Sequence, residues 1–171
     1  MAKGNAAFGL RHAGYHALDS LRIEKAYRHW GHDMTDEDTP LEAGLGFTVA
    51  WDKPGGFVGR GALLRQREAA AAAGGLRRRL IVVTLDEPEP LLYHNEPIYR
   101  DGRLVGWVTS AAFGHTIGRS IGLGYVTRED GPVTEDWLAA GSIELEIALE
   151  RRPARASLRA PYDPTNARIR A

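Results

Sequence analysis

The sequence predicts an α+β fold, in which a helical first part is followed by a small antiparallel β-barrel. From about residue 77 onwards, short apolar runs are separated by tight turns, among them Asp101-Gly102, which is a strong signal for a two-residue hairpin. Helical patterns do not alternate with these runs, and this excludes a doubly wound parallel sheet. We therefore divide the chain into a first part at residues 1–75 and a barrel at residues 76–171.

The first part contains three helical patterns and one strand pattern. Apolar residues at helical spacing predict a helix over residues 10–22. Thr39 and Glu42 have the spacing of a capping box, which predicts a short helix. Residues 46–51 are typical of a strand, and a further helix is predicted to begin at about residue 59 and to end at Gly74-Gly75.

The second part contains the strand patterns. Residues 80–85 form an apolar run, residues 98–108 surround the hairpin turn, and residues 143–149 alternate apolar with acidic side chains. Residues 154–159 are predicted to pair with this last strand. Gly122-Leu123-Gly124, in the glycine-spaced segment 114–124, lacks the third glycine and the following helix of a dinucleotide-binding loop, so it predicts close packing of barrel strands.

The composition excludes several classes of protein. Lys+Arg and Asp+Glu both total 22, so no overall field directs the chain to nucleic acid or to a membrane, and we expect neither partner. The chain has no cysteine, which excludes disulfides and thiolate chemistry. No apolar run approaches the ~20 residues of a membrane span, and we expect a cytoplasmic protein. Residues 151–171 hold six arginines and one acid, which favours a solvated tail over an anion-binding site.

Few residue patterns suggest chemistry by themselves. His29, His32 and Asp33 could share one face of a helix, but no further ligand is marked and we expect no metal. A nucleophile elbow of the G-x-S-x-G type does not occur. The pattern around Phe47 and Trp51 favours core positions for both aromatic side chains, with stacking on a flat ligand as the alternative. Residues 77–79 are three arginines, which suggest a solvated strand edge or an anion contact.

Three stretches nevertheless carry a family resemblance. Residues 19–64, residues 104–126 (LVGWVTSAAFGHTIGRSIGLGYV) and residues 161–168 (PYDPTNAR) closely resemble the C-terminal region of the glycine-cleavage aminomethyltransferase family. Within the first stretch, the sequence Lys-Ala-Tyr-Arg-His-Trp-Gly at residues 25–31 is most similar to the folate-binding part of dimethylglycine and sarcosine dehydrogenases or oxidases. The resemblance covers nearly the whole chain, with its motifs in the family's order.

The resemblance implies a share of a tetrahydrofolate pocket in an enzyme that transfers a one-carbon unit to tetrahydrofolate. Residues 1–75 would be the end of the central folate-binding part and residues 76–171 the C-terminal barrel. Phe47 would lie against the folate, and Arg78 or Arg79 would meet its glutamate tail. The family's catalytic aspartate would lie upstream, as would any FAD-binding domain, so we expect no catalytic residue here. The expected partners are folate and an N-terminal half or partner subunit.

Two departures from the family pattern refine the expectation. Leu18 stands where glycine-cleavage members carry an arginine, and Ala167 stands where they carry a tyrosine. Both departures favour the dimethylglycine or sarcosine branch. We expect the isolated chain to be inactive. The alternative is a non-catalytic barrel module that docks on a partner subunit or binds folate without turnover.

Overall fold

The computed structural model describes residues 7–170. Within residues 9–170, two helices and a 3₁₀ turn precede six strands, and a short helix lies between the fourth and fifth strands. In chain order the elements are α1 (Tyr15–Glu24), the 3₁₀ turn (Gly46–Thr48), α2 (Arg60–Ala72), β1 (Arg78–Leu85), β2 (Pro97–Arg100), β3 (Arg103–Gly114), β4 (Arg119–Thr127), α3 (Glu135–Ala140), β5 (Ile143–Ile147) and β6 (Glu150–Ser157). No helix within residues 7–170 is both long and apolar enough to cross a membrane.

The six strands form a closed barrel. Its strand order is β1-β4-β3-β2-β5-β6, every pairing is antiparallel, and β6 closes the barrel by pairing with β1. Closure leaves no strand edge with unpaired backbone groups. The predicted α+β class with an antiparallel barrel is therefore confirmed.

Around β1, the barrel wall is apolar both on its inner face and on its outer face. On β1, Ile81 and Val83 point into the barrel interior, whereas Leu80 and Val82 belong to a second cluster outside it. Ile23 of α1 covers that outer cluster and is fully buried, which is worth about 1.5–3 kcal/mol. The helix is thereby held against the outer wall of the barrel.

Tight turns set the register of two hairpins. Asp101 and Gly102 have φ values of +50° and +76°, as a two-residue hairpin turn of the predicted kind requires. Ala148 and Leu149 have φ values of +50° and +68° and join β5 to β6 in the same way. The predicted strand over residues 143–149 therefore ends two residues early, at Ile147. Its partner begins at Glu150 instead of residue 154.

The close approach of β3 and β4 explains why glycine occupies Gly106 on β3 and Gly124 on β4. A Cβ atom added to Gly106 would lie 1.8 Å from the Tyr125 carbonyl oxygen, and one added to Gly124 would lie 2.5 Å from that of Trp107. Cβ atoms do not approach backbone so closely, so both positions require glycine. The interpretation as strand packing is thereby confirmed for Gly124, whereas Gly118 of the same segment lies in the turn between β3 and β4 with open space around it.

The helical part differs from the prediction in three places. The first helix begins at Tyr15 after an extended Gly14 and continues to Glu24, instead of spanning residues 10–22. The capping box forms, with Thr39 and Glu42 each bonding the other's backbone N–H at 3.2 Å, but it opens only a single turn. The strand predicted over residues 46–51 is wrong. The segment forms a 3₁₀ turn, because the closed barrel offers no edge to pair with.

Helix α2 agrees with its prediction at both ends. Gly59 precedes it with φ +87°, and Gly74 follows it with φ +78°. The left-handed region is open to glycine at little steric cost, and this is why both helix ends were visible in the sequence.

Candidate functional site

A cleft of 360 Å³ lies where the end of α1, the turn before Phe47 and the segment after β6 meet. The side chain of Phe47 stands at its rim and is 83% exposed. A large aromatic side chain so exposed contributes little to a core. We call this the Phe47 cleft, and its lining comprises Lys25, Ala26, Tyr27, Arg28, Met34, Gly44, Leu45, Phe47, Leu158, Arg159, Ala160, Asp163, Pro164 and Asn166.

Arg28 braces the turn that presents Phe47. Its Nε donates to the carbonyl of Ala43 at 2.8 Å and its Nη1 donates to that of Ala26 at 2.7 Å. Gly44 has φ +70°, and a Cβ there would lie 2.7 Å from Arg28 Nη2. Burial lowers the pKa of Arg28, although nearby Tyr125 and Asp33 oppose the shift. The guanidinium is thus a structural part of the cleft wall.

The opposite wall is a docked segment of the C-terminal region. Lys25 Nζ donates to Asp163 at its Oδ2 (2.6 Å) and its carbonyl oxygen (3.0 Å), and this bond lowers the pKa of Asp163. Tyr162 N–H donates to the carbonyl of Glu24 at 3.2 Å. Residues 151–170 are not the free tail that was expected, because β6 and this docked segment occupy most of them, although five of the six arginines are exposed to solvent as expected.

Glu24 anchors the end of α1 from the other side. Its buried carboxylate accepts hydrogen bonds from Thr116 N–H (2.6 Å), Thr116 Oγ1 (2.8 Å) and Ile117 N–H (3.2 Å) in the turn between β3 and β4. Sequence reasoning missed this role. The available signal was an acid in the last turn of a helix, where the helix dipole disfavours it.

Asp33 is a second buried carboxylate whose role was missed. It accepts hydrogen bonds from Arg22 Nη1, His29 N–H (2.8 Å), Thr109 Oγ1 (2.7 Å) and Ser110 Oγ. Asp33 therefore faces the barrel wall and is committed to four donors. Within residues 7–170 no group of three or more potential metal ligands occurs.

Arg78 and Arg79 do not line the Phe47 cleft. Arg78 Nη2 donates to Asp38 Oδ1 at 2.8 Å, and the guanidinium stacks 3.9 Å from the centroid of the Tyr125 ring. Arg79 is the next residue on the same strand, so its side chain leaves from the opposite face. Burial lowers the pKa of Arg79, against the opposing field of Glu135. A ligand role for either arginine stays a prediction; the basic residues that line the cleft are Lys25, Arg28 and Arg159.

The fold and the cleft together define a class of protein. It is a closed six-stranded antiparallel barrel with a helix on its outer wall and an aromatic and basic cleft at its rim. The family model described as the glycine cleavage T-protein C-terminal barrel domain matches residues 78–163, and the model of the GCVT N-terminal domain matches residues 1–53. The chain belongs to the glycine cleavage T-protein family.

Two relatives and one solved structure show how far the similarity extends. The chain is 44% identical to mitochondrial sarcosine dehydrogenase from Homo sapiens over 99% of its own length. It is 40% identical to the mitochondrial pyruvate dehydrogenase phosphatase regulatory subunit from Mus musculus over 88% of its length. In both cases it spans 18% of the relative. The glycine cleavage system aminomethyltransferase T from Bartonella henselae shares the fold, with a TM-score of 0.66, 22% identity, and coverage of 85% of this chain and 37% of the other.

Proposed function

We propose that this chain forms one wall of a tetrahydrofolate pocket in a folate-dependent enzyme of the sarcosine dehydrogenase type. One observation carries the proposal: Phe47 is 83% exposed at the rim of the Phe47 cleft, where a braced turn holds it away from the core. An exposed ring beside basic side chains suits a ligand with a flat ring and anionic groups. Family membership supports the same assignment.

In this proposal, the residues of the cleft bind tetrahydrofolate and orient it. The Phe47 ring offers a face for stacking, and stacking on an aromatic side chain is worth ~1–3 kcal/mol for a nucleobase. Arg159 supplies positive charge near the ring, whereas Lys25 is paired with Asp163. Bound tetrahydrofolate would supply the nitrogen that accepts the one-carbon unit. Correct orientation of that acceptor can lower the barrier of the reaction by ~7–11 kcal/mol.

The described cleft supplies no acid or base for the chemistry. Its one carboxylate, Asp163, is held by Lys25 at 2.6 Å and has a lowered pKa, so it is a poor proton acceptor. Proton transfer and oxidation of the amine would therefore belong to other parts of the whole enzyme. We expect this chain alone to bind without turnover.

A second candidate function is supported by one of the relatives. The region that this chain matches also occurs in a protein whose name describes a regulatory subunit. A non-catalytic module that docks on a partner would use the same barrel. Affinity for tetrahydrofolate that depends on Phe47 separates the two candidates, because docking alone does not require an exposed ring in a cleft.

The decisive experiment compares Phe47→Ala with Trp51→Ala. Trp51 is the control, because its ring stacks on Arg67 at 4.2 Å and its carbonyl accepts from Arg60 Nε at 3.0 Å. Calorimetric titration with tetrahydrofolate should show at least about tenfold weaker binding for Phe47→Ala, equivalent to ~1.4 kcal/mol, with a small change in Tm. Trp51→Ala should lower Tm and leave the affinity of the folded protein unchanged.

The opposite pattern would reject the proposal. A core phenylalanine costs ~3–5 kcal/mol when it is replaced by alanine. If Phe47→Ala lost that much stability while the folded fraction bound tetrahydrofolate normally, Phe47 would be a packing residue and the cleft would not be the folate site. The titration is made on this chain and on this chain combined with the family's N-terminal domain.

A further inference from the structure

A polar cavity of 240 Å³ lies between α1 and β3 and shares no lining residue with the Phe47 cleft. Five side chains that carry a ring line it, and we call them the aromatic cage: Tyr15, His29, His32, Tyr93 and His94. Tyr15 and Tyr93 are 67% and 61% exposed, so neither ring contributes much to a core. Packing therefore does not explain why these rings surround a cavity.

Helix α1 and the turn that follows it supply three of the rings. Tyr15 lies on the same face of α1 as Asp19 and Arg22, because these residues are spaced by four and three positions. In the turn, His32 N–H donates to the His29 carbonyl at 3.2 Å, and the centroids of the two imidazole rings are 4.5 Å apart. The turn thus places two histidines side by side next to the helix face.

The loop between β1 and β2 supplies the other two rings. Asn95 has φ +66°, and its N–H donates to the Val108 carbonyl at 2.7 Å, which fixes the loop to β3. The two preceding residues, Tyr93 and His94, line the cavity together with residues 109–111 of β3. Rings from a helix, a turn and a distant loop are therefore held around one cavity by backbone hydrogen bonds.

The charge that a ligand can reach in this cavity is negative. The side chain of Arg22 is largely buried and is already paired with two carboxylates, those of Asp19 (Nε to Oδ1, 3.1 Å) and of the fully buried Asp33. Asp19 is partly exposed, and its Oδ2 accepts no hydrogen bond from any group within residues 7–170. A ligand in the cavity thus meets a carboxylate oxygen that can still accept a hydrogen bond.

The types of side chain favour a small organic cation over a metal ion. Histidines and a carboxylate are common metal ligands, but within residues 7–170 no group of three or more such residues is placed to hold a metal. The face of an aromatic ring attracts cations, and rings grouped around a cavity are the usual receptors for alkylated ammonium groups. A carboxylate beside the rings adds an acceptor for the N–H of such a group.

We propose that the aromatic cage binds the cationic head of a small alkylammonium ligand. The alkyl groups on its nitrogen would contact the rings of the cage, and its N–H would donate to Asp19 Oδ2. The site is separate from the Phe47 cleft, so this inference does not rest on the function proposed there.

The test is an NMR titration of the full chain at pH 8 with three probes of similar shape and different charge. Trimethylammonium is the cation, tert-butanol is the neutral probe, and pivalate is the anion. Ligands of this size bind weakly, and a Kd of roughly millimolar order is expected for trimethylammonium. Changes in the amide signals of the protein report both the affinity and the location of each probe.

Two variants and one control separate the rings from the charge. The cage variant combines Tyr15→Leu with Tyr93→Leu, which removes two rings and keeps apolar bulk. Asp19→Asn removes the charge, while Arg22 retains its other carboxylate. Tyr99→Leu is the matched control, because Tyr99 lies on β2 and lines neither cavity. Thermal unfolding confirms that each variant is folded, and Tyr93→Leu alone serves if the double substitution impairs folding.

The expected result is a preference for the cation that depends on the cage. Trimethylammonium should bind the wild type and the control at least about tenfold more tightly than tert-butanol does, and pivalate should bind more weakly still. The cage variant should bind trimethylammonium at least about tenfold more weakly, and Asp19→Asn at least about fivefold more weakly. The largest signal changes in the wild type should occur at residues 29–32, 93–94 and 109–111.

Each contrary outcome overturns the proposal for a different reason. Equal affinity for trimethylammonium and tert-butanol would show that the cavity offers apolar contact alone. Tighter binding of pivalate would make it an anion site. Unchanged affinity for trimethylammonium in the folded cage variant, or in Tyr93→Leu and Asp19→Asn alike, would place the cation elsewhere on the protein. Absence of any binding up to about 100 mM would leave the cage without this ligand class.

Discussion

At the scale of single residues, buried charge connects parts of the chain that are remote in sequence. Asp33 joins α1, its own loop and β3 through donors from Arg22, Thr109 and Ser110. Its side chain is fully buried, and Arg22 is 11% exposed. Removal of one partner from a buried ion pair leaves the other uncompensated, which costs far more than loss of a surface pair.

We therefore expect Asp33→Ala to lower the free energy of unfolding by about 3 kcal/mol. Removal of one partner of a buried ion pair usually costs about 3–5 kcal/mol, and the lower end of this range applies because Asp19 still accepts a hydrogen bond from Arg22 Nε at 3.1 Å. Urea denaturation measures the change. Asp36→Ala in the same loop is the control, since Asp36 is exposed and should change stability by less than about 0.5 kcal/mol. Equal effects of the two substitutions would contradict the role of Asp33 as the centre of this network.

At the scale of elements, the spacing between β3 and β4 depends on residues without a side chain. Gly106 leaves no room for a Cβ, which would meet backbone atoms of both Tyr125 and Val126. In a closed barrel, one strand cannot move without disturbing its pairing with the next strand. A flexible side chain could move away from a new methyl group, but the Tyr125 carbonyl is part of the strand backbone and cannot.

Gly106→Ala should accordingly destabilise the barrel by about 3 kcal/mol or more. Gly61→Ala in α2 is the matched substitution, because a Cβ there would lie 3.6 Å from the mobile end of Arg65. Alanine is favoured over glycine in a helix, so Gly61→Ala should be neutral or add up to about 1 kcal/mol. Chemical denaturation of both variants provides the measurement, and a mild Gly106→Ala would show that the two strands can separate locally.

At the scale of the whole molecule, two ion pairs attach the irregular segments to the barrel and to α1. Arg78 holds Asp38 of the acidic loop at 2.8 Å, and Lys25 holds Asp163 of the C-terminal segment at 2.6 Å. Burial opposes ionisation of Asp38, but hydrogen bonds from Arg78 and Thr35 outweigh it and lower its pKa. The hydrogen bond from Lys25 lowers the pKa of Asp163.

Both shifts predict loss of stability in acid. A carboxyl group with a lower pKa in the folded state binds fewer protons there than in the unfolded state, so stability rises with pH through the interval between the two values. The contribution is complete above about pH 4 and is lost as pH falls below it. Asp38→Asn should be less stable than the wild type at pH 6, and the gap in Tm should narrow towards pH 3. A gap that stayed constant over this range would contradict the assignment.

The sequence by itself determined the elements whose signals are local. Asp101-Gly102, the glycines at both ends of α2 and the Thr39–Glu42 capping box each depend on residues within a few positions of one another, and all were found where predicted. The apolar alternation of β5 likewise follows from burial of one face of the strand, and the continuous apolar run of β1 follows from burial of both faces. Local backbone preferences and side-chain period act before tertiary contacts form, so sequence reports them directly.

Tertiary structure decided what depends on distant contacts. Residues 46–51 have a strand-like composition, yet barrel closure leaves them no partner and they form a turn that exposes Phe47. The C-terminal arginines resembled a solvated tail, but pairing of β6 with β1 and the bond between Lys25 and Asp163 fold that region onto the barrel. Residue spacing alone could not show that Arg119, Arg155 and Arg159 line one cavity, because Arg119 of β4 and Arg155 of β6 meet through the strand order around the barrel, and Arg159 follows the end of β6.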